Sequence, residues 1–235
     1  VPENRPNESQ SAASTEELII ELVKRGASME QIALLKDPSV NSPEEALEAL
    51  KKGNARFYSG TQQRVFSDVN GRRAQIISQT PFAVVLGCAD SRVPVELVFD
   101  QGPGDIFSIR LAGSVAEQCS IGSVQYAVEH LKVSLIVVLG HEGCGAVAAA
   151  MLPPEVREKE PLHVRFLLDA IVPAVEGLPT IHDPKARMRE AVVRNVWRQK
   201  SVLETDPTVA AAIADGQVKV VGAFYEIGSG AVDFL

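Results

Sequence analysis

Apolar side chains follow two rhythms along the chain. Leu18, Ile19, Leu22 and Val23 recur at helical spacing within residues 15–25, and a shorter stretch of the same kind covers 29–35. Ser42-Pro43-Glu44-Glu45 then places a cap, an N1 proline and first-turn acids ahead of a helix over 46–58. From Phe82 onward the rhythm changes. Phe82-Ala83-Val84-Val85-Leu86 is a continuous apolar run, the pattern of a strand buried on both faces, and similar runs cover 106–111, 135–139 and 218–224. Helical spacing returns at 120–131, 144–151, 161–172, 185–203 and 208–214. Strands alternating with helices predict an α/β fold: a mostly parallel central sheet flanked by helices, with an N-terminal helical arm.

Residues 1–13 are rich in Pro, Asn, Ser and Glu and read as a mobile lead-in to that arm. The division is therefore 1–41, arm and N-terminal helices, and 42–235, the α/β domain. At 235 residues one main domain can bury a sizeable core. A hydrophobic share of 46% and a charged share of 23% fit a folded, soluble protein. The net charge of −7 argues against a nucleic-acid surface, where clustered Lys and Arg are needed. No apolar run approaches the roughly 20 residues that span a bilayer. A cytoplasmic location is the default expectation, although a first residue of Val1 leaves a removed targeting segment open.

Three cysteines, Cys88, Cys119 and Cys144, are too few and too odd in number for a disulfide framework, which turns attention to metal or catalytic use. In open α/β sheets ligands bind beyond the carboxyl ends of the strands. Cys88 ends one predicted strand, and His141-Glu142-Gly143-Cys144 follows another. Thiolate and imidazole together suit Zn²⁺, and three protein ligands leave a fourth position for water or substrate. Asp90 is the nearest candidate for a fourth ligand, so a closed, carboxylate-capped state stays open. Cys88-Ala89-Asp90-Ser91-Arg92 adds a carboxylate two residues from a ligand and a guanidinium that can hold it ionised and oriented. Two thiolates neutralise the ion's charge, so activity is expected mainly above neutral pH.

Cys88-Ala89-Asp90-Ser91-Arg92 and His141-Glu142-Gly143-Cys144-Gly145 resemble the β-class carbonic anhydrases, and the resemblance runs through residues 42–235. It implies zinc on Cys88, His141 and Cys144, a catalytic dyad of Asp90 with Arg92, and reversible hydration of carbon dioxide to bicarbonate and a proton by zinc-bound hydroxide. Gln79, Phe107 and Tyr126 match the substrate-pocket positions of the plant-type branch. The resemblance also implies a homodimer or a multiple of one, the pocket forming between subunits and the N-terminal helices embracing the partner. Hydrolysis of carbon disulfide or carbonyl sulfide at the same site, or a non-catalytic zinc-binding assembly role, are the alternatives.

Two departures stand out. Many members of the family read Arg-Asn-Ala-Gly-Asn where this chain has Arg110-Leu111-Ala112-Gly113-Ser114, and Glu142 stands where Ser or Thr is common. Glu142 is expected to face solvent. Cys119 matches no ligand position and reads as a free, partly buried thiol, while His130, His163 and His182 lack ligand spacing.

Overall fold

The computed structural model describes residues 21, 24–26, 40, 42–63 and 79–235. The lead-in expected at 1–13, the helix expected at 29–35 and most of the one expected at 15–25 lie outside the described residues. Helix α1 (Pro43–Ser59) opens as its sequence predicts: the Ser42 hydroxyl accepts from the Glu45 amide at 3.2 Å, and Pro43 occupies the first turn.

Among the described residues five strands follow, β1 (Ala83–Gly87), β2 (Ile106–Arg110), β3 (Leu135–His141), β4 (Lys219–Tyr225) and β5 (Val232–Phe234), in the order β2-β1-β3-β4-β5. The pairs β1–β2, β1–β3 and β3–β4 are parallel, and only β5 runs antiparallel, returning from β4. The mostly parallel sheet is as predicted. β5 is too short to produce an apolar run, and its side chains are half-buried or exposed, which is why it leaves no strand signal in the sequence.

Side chains alternate across the sheet. Val84, Leu86, Ile136, Val138, Val220 and Phe224 belong to one core layer, and Ala83, Val85, Leu135, Val137, Val221 and Ala223 to the other. The first layer is covered by α3 (Gln118–Glu129), α4 (Gly145–Ala150), α6 (Leu162–Val175), α7 (Pro184–Thr205) and α8 (Pro207–Ala214). The second is covered by α1 and the short α2 (Val95–Val98). A further single turn, α5 (Pro154–Arg157), carries no buried residue. Among the described residues no helix is long and apolar enough to cross a membrane.

Asp-Pro pairs start both C-terminal helices. Asp183 accepts from the amides of Lys185 and Ala186 ahead of α7, and Asp206 from those of Thr208 and Val209 ahead of α8. α7 lies close against the sheet because Gly140 of β3 has no side chain: a Cβ there would sit 2.6 Å from the Val192 and Val196 methyls. That approach carries two buried amide side chains of α7, Asn195 and Gln199, to the carboxyl end of the sheet.

Candidate metal centre

The parallel register brings the site together. Gly87 pairs with Leu139 of β3 on one side and with Arg110 of β2 on the other. Cys88 therefore leaves β1 beside the end of β3, where His141 is the last strand residue. Glu142 and Gly143 turn the chain, and Cys144 caps α4. The possible ligand atoms of Cys88, His141 and Cys144 all lie within 4.8 Å of one another. All three residues are buried, with exposures of 4%, 0% and 2% respectively.

Two tests address whether these residues fit a metal ion. The two sulfurs are 4.0 Å apart. That is far beyond a disulfide bond, and close to the separation of about 3.8 Å that follows for two thiolates each about 2.3 Å from a tetrahedral ion. His141 supplies the second test. Its Nδ1 lies 2.9 Å from the Glu142 carbonyl, which can only accept, so Nδ1 carries the proton. Nε2 is then the lone-pair nitrogen, and it is buried without a hydrogen-bond partner. Buried polar atoms are rarely orphaned, and a backbone carbonyl fixing the other ring nitrogen is the usual arrangement of a ligating histidine. The donor set fits zinc.

Electrostatics point the same way. The Cys88 thiol is held well below its ordinary range, first by the hydrogen bond that the Cys144 thiol donates to it, against the opposing effect of burial. The backbone amides of Asp90 and Gly113 add to this, each lying 3.4 Å from Sγ. Cys144 is pushed up by that same shared hydrogen bond, by burial and by the charge of Cys88. Two thiolates this close repel each other, and a cation between them would favour the ionised form of both.

Beside the sulfurs, Arg92 grips Asp90 with two arms. Its Nε donates to Oδ1 at 2.9 Å and its Nη2 to Oδ2 at 2.8 Å, while the Arg92 amide also donates to Oδ1 at 2.9 Å. The side-chain hydrogen bonds from Arg92 hold the Asp90 carboxyl well below the usual carboxylate range. Both carboxylate oxygens are engaged, and Asp90 is not one of the clustered ligand residues.

Sequence reasoning missed Arg110. Its Nε donates to the Cys88 carbonyl at 3.0 Å and its Nη2 to the Asp90 carbonyl at 2.6 Å, pinning the segment that carries both groups. No local signal marks it, since its reach to the chain leaving β1 depends on β2 lying beside β1. Gly113 follows in the short turn Ala112–Ser114 with φ 73, and a Cβ there would lie 2.5 Å from Ile171 Cδ1. Only glycine accepts both conditions. Ser114, where the family often has Asn, is buried and donates to the Leu139 carbonyl at 2.8 Å.

The proposed pocket residues lie apart from this centre within one chain. Phe107 pairs in register with Val84, four positions before Cys88, a strand rise of about 13 Å. Phe107 and Tyr126 do meet each other, with ring centroids 6.2 Å apart, and Tyr126 is 46% exposed beside the edge strand β2. Gln79 is exposed and precedes the amino end of β1, away from Cys88. Glu142 faces outward, as expected from sequence, and accepts from the Gly228 amide at 3.2 Å. Cys119 is exposed rather than partly buried, because it lies on the outer side of the first turn of α3. The His130 ring lies tilted against Tyr126, with centroids 5.0 Å apart, and His163 lies near Phe166 at 6.3 Å.

A family model described as carbonic anhydrase matches residues 83–232. The chain belongs to the β-carbonic anhydrase family. Carbonic anhydrase 2 of Mycobacterium tuberculosis is 39% identical over 194 residues, covering 82% of this chain and 92% of that one. A carbonic anhydrase of Mycolicibacterium smegmatis is 37% identical over 199 residues, covering 82% and 93%. Among solved structures, a tetrameric β-carbonic anhydrase of Sordaria macrospora superposes with a TM-score of 0.66 at 28% identity, over 80% of this chain and 95% of that one. β-Carbonic anhydrases are zinc-dependent in general, and Cys88, His141 and Cys144 form a possible metal site here.

Proposed function

We propose that this carbonic anhydrase hydrates carbon dioxide reversibly to bicarbonate and a proton at a zinc ion held by Cys88 Sγ, Cys144 Sγ and His141 Nε2. The observation that carries this reading is the orphaned, buried Nε2 of His141 beside two sulfurs 4.0 Å apart. Bound there, zinc supplies a Lewis acid that turns water into a nucleophile near neutral pH.

The chain's own residues do the rest. The Glu142 carbonyl keeps the His141 ring in the tautomer that presents Nε2. Arg92 keeps Asp90 ionised and occupies it from one side, which favours a water-accessible fourth position over a carboxylate-capped one. An Asp90 oxygen accepts the hydrogen bond of the attacking water or hydroxide and so orients it toward the carbon. Arg110 holds the Cys88 and Asp90 carbonyls, so sulfur and carboxylate keep a fixed separation.

Substrate positioning completes the site between copies of the chain. Phe107 and Tyr126 sit at the β2 edge, too far from their own Cys88 to line its pocket, and a second copy brings them and Gln79 to it. The active form is accordingly a homodimer or a multiple of one, with residues 42–235 as the catalytic unit and 1–41 as the embracing arm. The Sordaria relative is tetrameric. The relatives' names favour carbon dioxide over carbon disulfide or carbonyl sulfide as substrate.

Stopped-flow carbon dioxide hydration by protein with one zinc per chain tests the proposal. Turnover should far exceed the uncatalysed reaction and disappear on chelation. A zinc-loaded protein no faster than buffer contradicts it.

A further inference from the structure

Two buried amide side chains of α7 have no part in the chemistry described so far. Asn195 and Gln199 lie one helical turn apart and are 2% and 1% exposed, on a helix face otherwise made of Ala191, Val192, Val196 and Leu203. Burying amides among apolar side chains is unfavourable unless their hydrogen bonds are made. Here they are made, and they lead to Cys88. Asn195 Nδ2 donates to the Gly113 carbonyl at 2.8 Å, and Gln199 Oε1 accepts from the Ala116 amide at 2.9 Å. Gln199 Nε2 donates both to Asn195 Oδ1 at 2.9 Å and to the Ala170 carbonyl at 3.2 Å, locking the pair together.

The loop they hold has reason to be held. Gly113 and Ser114 are consecutive residues at positive φ, 73° and 54°, and serine is disfavoured there. The Asp90 amide reaches the Cys88 sulfur through its own tight turn. The Gly113 amide is 25 residues beyond Cys88 and reaches the sulfur only because this strained loop stays in place.

We propose that Asn195 and Gln199 are positioning residues for Cys88: by pinning the 113–116 loop from both ends they fix the Gly113 amide on the sulfur. An N–H donated to a thiolate draws charge from it, so the sulfur gives less to the ion and the ion retains more of its own charge. The inference rests on the metal-centre reading above and deepens it.

Cobalt-loaded protein offers the test, because thiolate-to-cobalt charge-transfer absorption reports the electron richness of the sulfurs. Asn195→Leu removes the donor to Gly113 while leaving Gln199 bonded to Ala170. Its band should move to longer wavelength, and because the sulfur is then less fixed in place and competes less well against protons, its zinc should be lost to a chelator about tenfold faster. Gln199→Met frees the Ala116 amide and the Ala170 carbonyl but leaves Asn195 bonded to Gly113, so it should shift both in the same direction by less. The control is Asn54→Leu: Asn54 is a buried amide on the opposite face, bonded to the Val98 and Gly230 carbonyls and the Val232 amide. It should lower stability but leave band and zinc release at wild-type values. Unchanged band and release in folded Asn195→Leu overturn the proposal; if that variant does not fold, the same result in Gln199→Met does. Equal shifts in the Asn54→Leu control also overturn it, by showing a general loosening. A wild-type protein that binds cobalt without any thiolate band refutes the metal-centre reading itself, a distinguishable failure.

Discussion

The carboxyl ends of β1 and β3 and the outer edge of the sheet at β2 hold the two halves of the proposed site, and they differ in how much one chain assembles. At the strand ends, Cys88, His141 and Cys144 converge within 4.8 Å, buried, with Asp90 and Arg92 paired beside them. At the β2 edge, Phe107 and Tyr126 touch each other but stand a strand's length from the sulfurs, and Tyr126 is open to solvent. Metal-ligand geometry tolerates errors of only a few tenths of an ångström and is built on strand ends fixed by a parallel register. A wall for a small apolar substrate needs only surface of the right shape, which a second copy can provide.

Perturbing the first half should have the largest effect. Cys144→Ala removes one of three donors, and zinc content by metal analysis should fall below stoichiometric while carbon dioxide hydration drops to the uncatalysed rate. Asp90→Asn leaves the donors intact. Zinc should be retained while kcat falls about 100-fold or more, the range of a lost acid–base or orienting group. Because Arg92 holds the Asp90 carboxyl below its ordinary range, near 4, this group is ionised throughout the neutral region. The rise in wild-type activity from about pH 6 to about pH 9 expected of a two-thiolate site therefore does not arise from Asp90. A flat pH profile over that interval contradicts the expectation.

Perturbing the second half should act through assembly. Tyr126→Arg puts a charge on the β2 edge. Losing a buried interface aromatic costs about 2 kcal/mol, which is about a 30-fold weaker association. Sedimentation should show smaller species at low concentration, with activity falling in step and zinc retained. If activity is lost while the oligomer persists, Tyr126 acts within its own subunit and the β2 edge is not part of a site shared between copies. Away from both halves, Leu50→Ala in the α1 layer opens a cavity under a fully buried side chain. Urea denaturation should show a loss of about 2–5 kcal/mol, with activity per bound zinc unchanged.

The legibility of these features in the sequence follows the range of the contacts that make them. Continuous apolar runs disclosed β1, β3 and β4 because both sides of those strands are covered, β2 kept enough apolar positions to be read although it is the edge strand, and Ser42-Pro43 marked a helix start because caps are local. β5 pairs with β4 over three residues and buries little, so it left no pattern. Cys88 and the His141 to Cys144 segment were readable because each sits directly at a strand end. Arg110, Asn195 and Gln199 were not, because their part depends on which loop each faces across the fold. The position of Phe107 relative to Cys88 depends on strand register, which alternation alone does not set.

The most direct test of the central claim is zinc K-edge X-ray absorption on the isolated protein above about pH 8. The expected result is one zinc per chain with two sulfurs at about 2.3 Å and two nitrogen or oxygen neighbours at about 2.0–2.1 Å, the sulfur contribution halving in Cys88→Ser. A shell without sulfur, or one unchanged in that variant, would contradict it.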